Sequence, residues 1–310
     1  MRRRLLLVFA ALLAACGAES PPPATVARSA PSVVRSSGGD DETGFRRLAR
    51  PAAGQWRAEH PEESAGSFED YVASEPVRAD GDRSALAFLP VGPFDEKRRA
   101  ALESAVEFAH LWFNLPVRTM PGEPLTEDED QFRDRDDGVG APWRQYRTRW
   151  FLNDLLPNRL PPDAVVLVGV TMSDLWPGMG WNFVFGEADL RRRVGVYSLA
   201  RYDPEFDGGA STPQSERLAL LRTLKVLVHE VGHTFGLEHC TEFECAMNGS
   251  NSMPETDQQP LHLCPPCLRK LAWNRGFVMA ERYRKLASFL DAHGFPEEAA
   301  WNRARGGSAR

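Results

Sequence analysis

The segment HEVGHTFGLEHC combines residue types that bind a metal ion and use it. His229 and His233 are four residues apart, so on a helix both imidazoles project from one face and can reach a single ion. Gly236 can adopt the left-handed conformation that ends a helix, which would bring His239 back to the same ion. Three neutral imidazoles leave the fourth position of a tetrahedral zinc ion open for water, and Glu230 is free to accept a proton from that water. The spacing therefore predicts a catalytic zinc site and a hydrolase.

Four cysteines come directly after the histidines, in two close pairs: Cys240, Cys245, Cys264 and Cys267. Four thiolates in two pairs suit one tetrahedral structural zinc ion, because each pair can span two of its corners. Two disulfides, Cys240–Cys245 and Cys264–Cys267, are the alternative that an oxidising compartment would favour. A redox dithiol at Cys264 and Cys267 is a third possibility, although no thioredoxin-like βαβ pattern surrounds it.

At this point the chain resembles the archaemetzincins (archaelysins), zinc metallopeptidases of the metzincin clan with the signature HExxHxxGxxHC-x4-C-x-M followed by C-x-x-C. The resemblance implies that the three histidines hold a catalytic zinc ion, with Glu230 as general base. It also implies that the four cysteines hold a second zinc ion and that Met247 forms the turn beneath the site. We therefore expect two zinc ions per chain and a peptide or protein substrate.

The same resemblance implies an α+β, metzincin-like fold. Its parts would be a mixed, twisted β-sheet, an active-site helix that carries HExxH, and a helical C-terminal subdomain with the four-cysteine zinc site. By resemblance, Trp181 to Phe185 would be the edge strand that pairs with an extended substrate.

The beginning of the chain reads as a signal peptide over residues 1–15. Basic residues at 2–4 precede an apolar stretch too short to span a bilayer as a helix. The sequence LAACG resembles the lipobox of bacterial lipoproteins, which implies a lipid on Cys16 and anchoring to the lipid bilayer. Ordinary cleavage and secretion is the alternative. We expect an exported protein held on the cell envelope, at the periplasmic face or the cell surface, and Gly17 favours the outer membrane.

Composition divides the rest of the chain. Residues 16–66 are rich in Pro, Ala, Ser, Gly and Arg, which predicts a disordered tether. Residues 67–304 would form the zinc peptidase domain, and residues 305–310 a frayed tail. The net charge of −6 argues against nucleic acid as a partner. The sequence specifies no oligomeric state.

Periodicity predicts the elements that must position these residues. The continuous apolar run Ala164–Val170 is typical of a central strand buried on both faces. Thr212 and Pro213 predict the start of the active-site helix. Further strands are predicted at 84–91, 116–120, 182–185 and 193–199, and further helices at 95–113, 144–156, 268–273 and 278–290.

Three hypotheses about function remain open. The first is a lipid-anchored zinc peptidase. The second is a non-catalytic, zinc-binding surface lipoprotein, and the third is a metal-carrier or redox lipoprotein built around the cysteines. Glu230 favours the first, because a purely structural metal site has no use for a free carboxylate beside it.

Overall fold

The computed structural model describes residues 44–136, 142–206 and 208–307, together with the backbone of Leu7–Val8. Its main sheet has six strands in the order β1-β8-β9-β6-β2-β3. The strand bounds are β1 Leu7–Val8, β2 Ala85–Val91, β3 Val117–Thr119, β6 Ala164–Thr171, β8 Gly186–Asp189 and β9 Val194–Ser198. Strands β3, β2, β6 and β9 are parallel to one another, whereas β8 is antiparallel to both β9 and β1. The predicted mixed sheet is therefore present.

Strand β6 is buried along its whole length, as the apolar run predicts. Helices on one face of the sheet and a smaller sheet on the other exclude water from both sides, so neither face requires polar side chains. Successive residues of β2 accordingly belong to opposite cores: Phe88 packs on the helix side and Leu89 on the other side.

The main helices on the first face are α3 Glu96–Phe113, α5 Pro213–Thr234 and α8 Met279–Ala292. The Asp95 side chain accepts a hydrogen bond from the Arg98 backbone N–H and so starts α3. Thr212 and Ser215 form a capping box at the start of α5, with Pro213 at the first helical position. The predicted start of the active-site helix is thus confirmed.

The smaller sheet consists of β4 Phe132–Arg135, β5 Trp143–Arg147 and β7 Asp174–Trp176. This corrects the prediction of a helix over 144–156, because helical structure starts only at α4 Thr148–Trp150 and continues as a π-helix over Phe151–Leu155. Strand β5 pairs with strands on both sides. Its fully buried Gln145 donates a hydrogen bond to Asp174, at 2.7 Å. These tertiary partners override the local helical pattern.

The edge of the main sheet also differs from the prediction. The segment 182–185 is not a strand, and its Val184 makes only an isolated bridge to Leu175 of the smaller sheet. Regular pairing with β9 begins at Gly186, opposite Tyr197. On its other side β8 pairs with β1. The segment predicted as the edge strand therefore links the two sheets, and β8 starts one residue after it.

The remaining helices lie near the two ends of the chain: α1 Trp56–Glu59, α2 Phe68–Ala73, α6 Met253–Gln258, α7 Pro265–Arg275 and α9 Pro296–Gly306. We call residues 44–77 the amino-terminal arm. Part of the arm falls in the predicted disordered tether, yet its backbone pairs with the cysteine loop through an antiparallel bridge between Arg47 and Phe243. Within the described residues, no helix combines the length and apolar character needed to cross a bilayer.

Candidate metal centre

Three histidine rings meet at the end of α5. His229 and His233 lie one turn apart, with their Nε2 atoms separated by 3.0 Å. The His239 ring centroid lies 5.4 Å from that of His229 and 5.1 Å from that of His233. One ring nitrogen from each histidine lies within 4.8 Å of the other two. Nitrogen ligands of a tetrahedral zinc ion are about 3.4 Å apart, given Zn–N bonds of about 2.0–2.1 Å, so the three side chains fit one zinc ion.

Gly236 makes the turn that returns His239 to this point. Its φ is +78°, the left-handed conformation that L-residues with a side chain rarely adopt. Its N–H donates to the His233 carbonyl, at 2.8 Å, and the Leu237 N–H donates to the Gly232 carbonyl, at 3.1 Å. The Gly232 carbonyl also accepts from the Phe235 N–H, at 3.1 Å, so these bonds together close the last turn of the helix.

Backbone carbonyls orient the first two rings. Nδ1 of His229 lies 2.8 Å from the Ala246 carbonyl oxygen, and Nδ1 of His233 lies 2.6 Å from that of Leu237. A carbonyl can only accept, so each Nδ1 carries the hydrogen and each Nε2 is left with its lone pair. Burial lowers the pKa of His229 to about 3 and that of His233 well below its usual value. Neutral rings of this tautomer are the form that binds a metal ion.

Glu230 lies on the side of the helix that faces β8. A Cβ atom placed on Gly186 would be 3.1 Å from the Glu230 carboxyl carbon, so a glycine best admits this close approach. Burial raises the pKa of Glu230 to about 8. A dication at the neighbouring histidines would lower that pKa, because an opposite charge favours the ionised carboxylate.

The four cysteines of the second group are buried, and their sulfur atoms lie within 4.8 Å of one another. Sγ of Cys240 is 3.6 Å from Sγ of Cys264, close to the roughly 3.8 Å expected for two thiolates on one tetrahedral zinc ion. The Met247 and Cys264 backbone N–H groups point at the Cys245 sulfur, at 3.4 and 3.3 Å. None of the cysteines in the described part of the chain forms a disulfide. The cluster thus fits a zinc ion better than the predicted alternative of two disulfides.

Burial and hydrogen bonding among the sulfur atoms shift the pKa values of three of these cysteines. Hydrogen bonds from Cys245, Cys264 and Cys267 lower the pKa of Cys240 far below that of an ordinary thiol. Burial raises the pKa of Cys245, and hydrogen bonding to Cys240 raises that of Cys267. A bound zinc ion would deprotonate the cysteines that hold it, because the thiolate is the form that binds the metal.

Backbone and amide hydrogen bonds join the two groups. The Cys240 N–H donates to the Met247 carbonyl, at 2.7 Å. Asn248 bridges the same loop, since its Nδ2 donates to the Cys240 carbonyl at 2.7 Å and its Oδ1 accepts from the Cys245 N–H at 2.8 Å. Met247 is fully buried, and a Cβ on Gly232, between the first two histidines, would lie 2.7 Å from its sulfur. Met247 thus packs beneath the helical turn that carries the metal ligands.

Two residues of the site carried no signal in the sequence. Glu63 lies on the amino-terminal arm, 176 residues before His239, and its Oε2 is 2.8 Å from Nδ1 of that histidine. Trp56 donates from Nε1 to the same carboxylate oxygen, at 2.6 Å. No spacing relates either residue to the histidine motif. The predicted lipidation site, Cys16, lies outside the described residues.

Comparisons with known proteins find relatives that match most of this chain in sequence. The model of Peptidase family M54 matches residues 164–273. Archaemetzincin-2 of Rattus norvegicus is 31% identical over 284 residues, covering 83% of this chain and 77% of the relative. The archaemetzincin of Pyrococcus abyssi is 34% identical over 189 residues, covering 61% of this chain and 95% of the relative. The crystal structure of the Methanopyrus kandleri archaemetzincin is 27% identical, with a TM-score of 0.48 and coverage of 64% of this chain and 98% of that one. The chain therefore belongs to the archaemetzincin family of peptidases, family M54.

Proposed function

We propose that this chain is a zinc-dependent peptidase of the metzincin type that hydrolyses peptide bonds in peptide or protein substrates. The observation that carries the proposal is the convergence of three buried imidazoles at the end of α5, with the Glu230 carboxylate on the same helical turn. Membership of a family of zinc metallopeptidases supports it.

The residues divide into two metal sites. His229, His233 and His239 would hold the catalytic zinc ion, and a second, structural ion would bind at the cysteines: Cys240, Cys245, Cys264 and Cys267. Zinc, when bound, supplies Lewis-acid chemistry, which acidifies water and polarises a carbonyl group.

Glu230 moves the proton. As a carboxylate it accepts a proton from the attacking water, and as a carboxylic acid it then delivers that proton to the leaving amine. Its burial keeps bulk water from competing for the proton. Met247 packs against the helix at Gly232, between the first two histidines, and we assign it the role of the methionine turn in metzincins.

Gly186, the first residue of β8, lies beside Glu230, so a peptide that reaches this carboxylate would pass close to the start of β8.

Metal analysis combined with peptide digestion tests the proposal. We expect about two zinc ions per wild-type chain and cleavage of a peptide library. The variant Glu230→Gln should retain zinc and lose at least about 100-fold in kcat/KM, the usual contribution of a general base. Glu216→Gln is the matched control, because Glu216 lies exposed in the first turn of the same helix and should leave the rate unchanged. Zinc binding without Glu230-dependent cleavage would instead favour a non-catalytic zinc protein.

We further propose that the protein is exported and anchored to the cell envelope by lipid on Cys16, with Gly17 favouring the outer membrane. Support comes from the basic start, the apolar stretch and the LAACG sequence of residues 1–17. Cys16→Ala should move the protein from the membrane fraction to the soluble fraction and remove labelling by a radioactive fatty acid. An unchanged membrane fraction in that variant would contradict the anchor.

A further inference from the structure

The amino-terminal arm is held against the loops that carry the metal ligands. The Leu48 N–H donates to the Glu242 carbonyl and the Glu244 N–H donates to the Arg46 carbonyl, each at 2.9 Å. These two bonds add a short antiparallel pairing to the segment between Cys240 and Cys245.

The far end of the arm is fixed near the end of α5. The Tyr71 hydroxyl donates to the carbonyl of Phe235, the last residue before Gly236, at 2.8 Å. Lys270, on the helix after the cysteines, donates to the Gly66 carbonyl, at 2.8 Å. The arm is therefore attached on both sides of the residues that bring Glu63 to the site.

Glu63 is the point where the arm reaches the metal centre. One of its carboxylate oxygens lies 2.8 Å from Nδ1 of His239 and 2.6 Å from Nε1 of Trp56. The Trp56 ring stands edge-on to the His239 ring, with centroids 5.0 Å apart and planes at 74°. The backbone N–H of Trp56 donates to the side-chain carboxylate of Glu255, at 3.0 Å, and this bond fixes the position of Trp56. The carboxylate is thus held from one side by an indole donor and meets the histidine on the other.

This contact differs in kind from those of the other two histidines, whose Nδ1 atoms face backbone carbonyls. A carboxylate accepts hydrogen bonds only, so the hydrogen of His239 must be on Nδ1, which leaves the Nε2 lone pair for a metal ion. The negative charge also increases the electron density on the ring, which makes the other nitrogen a stronger ligand. His239 needs such help most, because it follows the helix on a turn and the helical hydrogen-bond ladder does not fix its backbone.

We propose that Glu63 is a positioning residue of the catalytic site, through which the amino-terminal arm orients His239 and strengthens its bond to zinc. The arm lies outside residues 164–273, the part of the chain that matches the family model. The proposal rests on the proposed function only in assigning a zinc ion to the three histidines.

Zinc competition on the full chain tests this role. Chelator titration should resolve two zinc ions, and the cysteine-bound ion serves as an internal reference. We expect Glu63→Ala to weaken the histidine-bound ion by about 10- to 100-fold, the usual effect of removing a carboxylate that supports a metal-binding histidine. Glu63→Gln keeps the shape and one acceptor and removes the charge, so its loss should be smaller and still measurable. Glu62→Gln changes the neighbouring carboxylate, which is 72% exposed, and should match wild type.

The melting temperature of the metal-free protein separates positioning from simple packing. If Glu63 only fills space, Glu63→Gln will bind zinc as wild type does, and Glu63→Ala will lower the metal-free melting temperature with no specific loss at the histidine site. Either result overturns the proposal. The readout is independent of cleavage: a wild-type protein that binds both ions and cleaves no peptide refutes the proposed function, while the ranking of the Glu63 variants still decides this inference.

Discussion

Cys245→Ser is expected to weaken zinc binding at the three histidines, although Cys245 is not one of their ligands. The substitution removes one of four cysteine sulfurs and with it the zinc ion that we propose fixes the loop from Cys240 to Met247. Two links run from that loop to the catalytic ligands. The Ala246 carbonyl accepts from Nδ1 of His229, at 2.8 Å, and Cys240 is the chain neighbour of His239.

The size of the effect follows from the first link. Losing the acceptor that orients a metal-binding histidine usually costs about 10- to 100-fold in metal affinity, equivalent to about 1.4–2.7 kcal/mol. The second link is covalent and survives, but the backbone before Cys240 becomes free to move. We therefore expect a loss of at least about tenfold at the histidine site.

The assay is chelator competition on the full chain under reducing conditions, with zinc content measured in parallel. Cys267→Ser should give the same result, because it acts through the same ion from the start of α7. Ser250→Ala is the control, since its hydroxyl bonds to the Thr256 side chain and to neither ligand set. Wild-type affinity at the histidine site in a protein that has lost the cysteine-bound ion would refute the reasoning.

Helix packing, lysine burial and metal binding give three further predictions. Gly232→Ala should lower the free energy of unfolding of the metal-free protein, measured in urea, by about 0–2 kcal/mol, because overlap with Met247 costs about 1–3 kcal/mol and better helix propensity offsets about 1 kcal/mol. Gly81→Ala is the control, since open space surrounds Gly81, and a Gly232→Ala variant more stable than wild type would contradict the overlap. Burial lowers the pKa of Lys225 from 10.5 to about 8, so between pH 8 and 10.5 the unfolded chain holds a proton that the folded chain has released. The wild-type protein should therefore gain stability relative to Lys225→Met as the pH rises through this range. A difference in unfolding free energy between the two proteins that does not change with pH would contradict this. Chelation of both zinc ions should lower the melting temperature, because a ligand that binds only the folded state stabilises it by about 4 kcal/mol per site at 1,000 times the dissociation constant. An unchanged melting curve would argue that neither site holds zinc.

The convergence of the three histidines could be predicted because its geometry is local. His229 and His233 are fixed by the helical repeat, and Gly236 permits a single sharp turn, so residues within one short segment determine where His239 lies. Short-range geometry of this kind depends little on the rest of the fold. The cysteines are close in sequence only within each pair, and the segment that joins the two pairs contains helix α6.

The elements whose predictions are wrong depend on distant partners. Strand β5 has the local sequence pattern of the start of a helix. It is a strand because it pairs with β4 and β7, and that pairing leaves no trace in its own periodicity. Strand β8 starts at Gly186, where the chain passes close to Glu230. The segment before it contacts the smaller sheet instead, through the bridge between Val184 and Leu175.

Composition is also a poor guide to the amino-terminal arm. A stretch rich in Arg, Ala and Pro has too few apolar side chains to predict an ordered structure. The arm is ordered by specific contacts instead, above all those of Trp56 and Glu63 with His239. Such contacts across 176 residues become visible only when the fold is known.

The position of Glu63 sets the shortest piece of this protein that can be expressed as a complete enzyme. A recombinant fragment that starts at residue 67 would contain every predicted zinc ligand and the general base, yet it would lack the carboxylate that meets Nδ1 of His239. Such a fragment would lose metal to common buffers and chromatography resins sooner than the longer protein. Its inactivity would then report a truncation made too late in the chain, so an expressed fragment should include both Trp56 and Glu63.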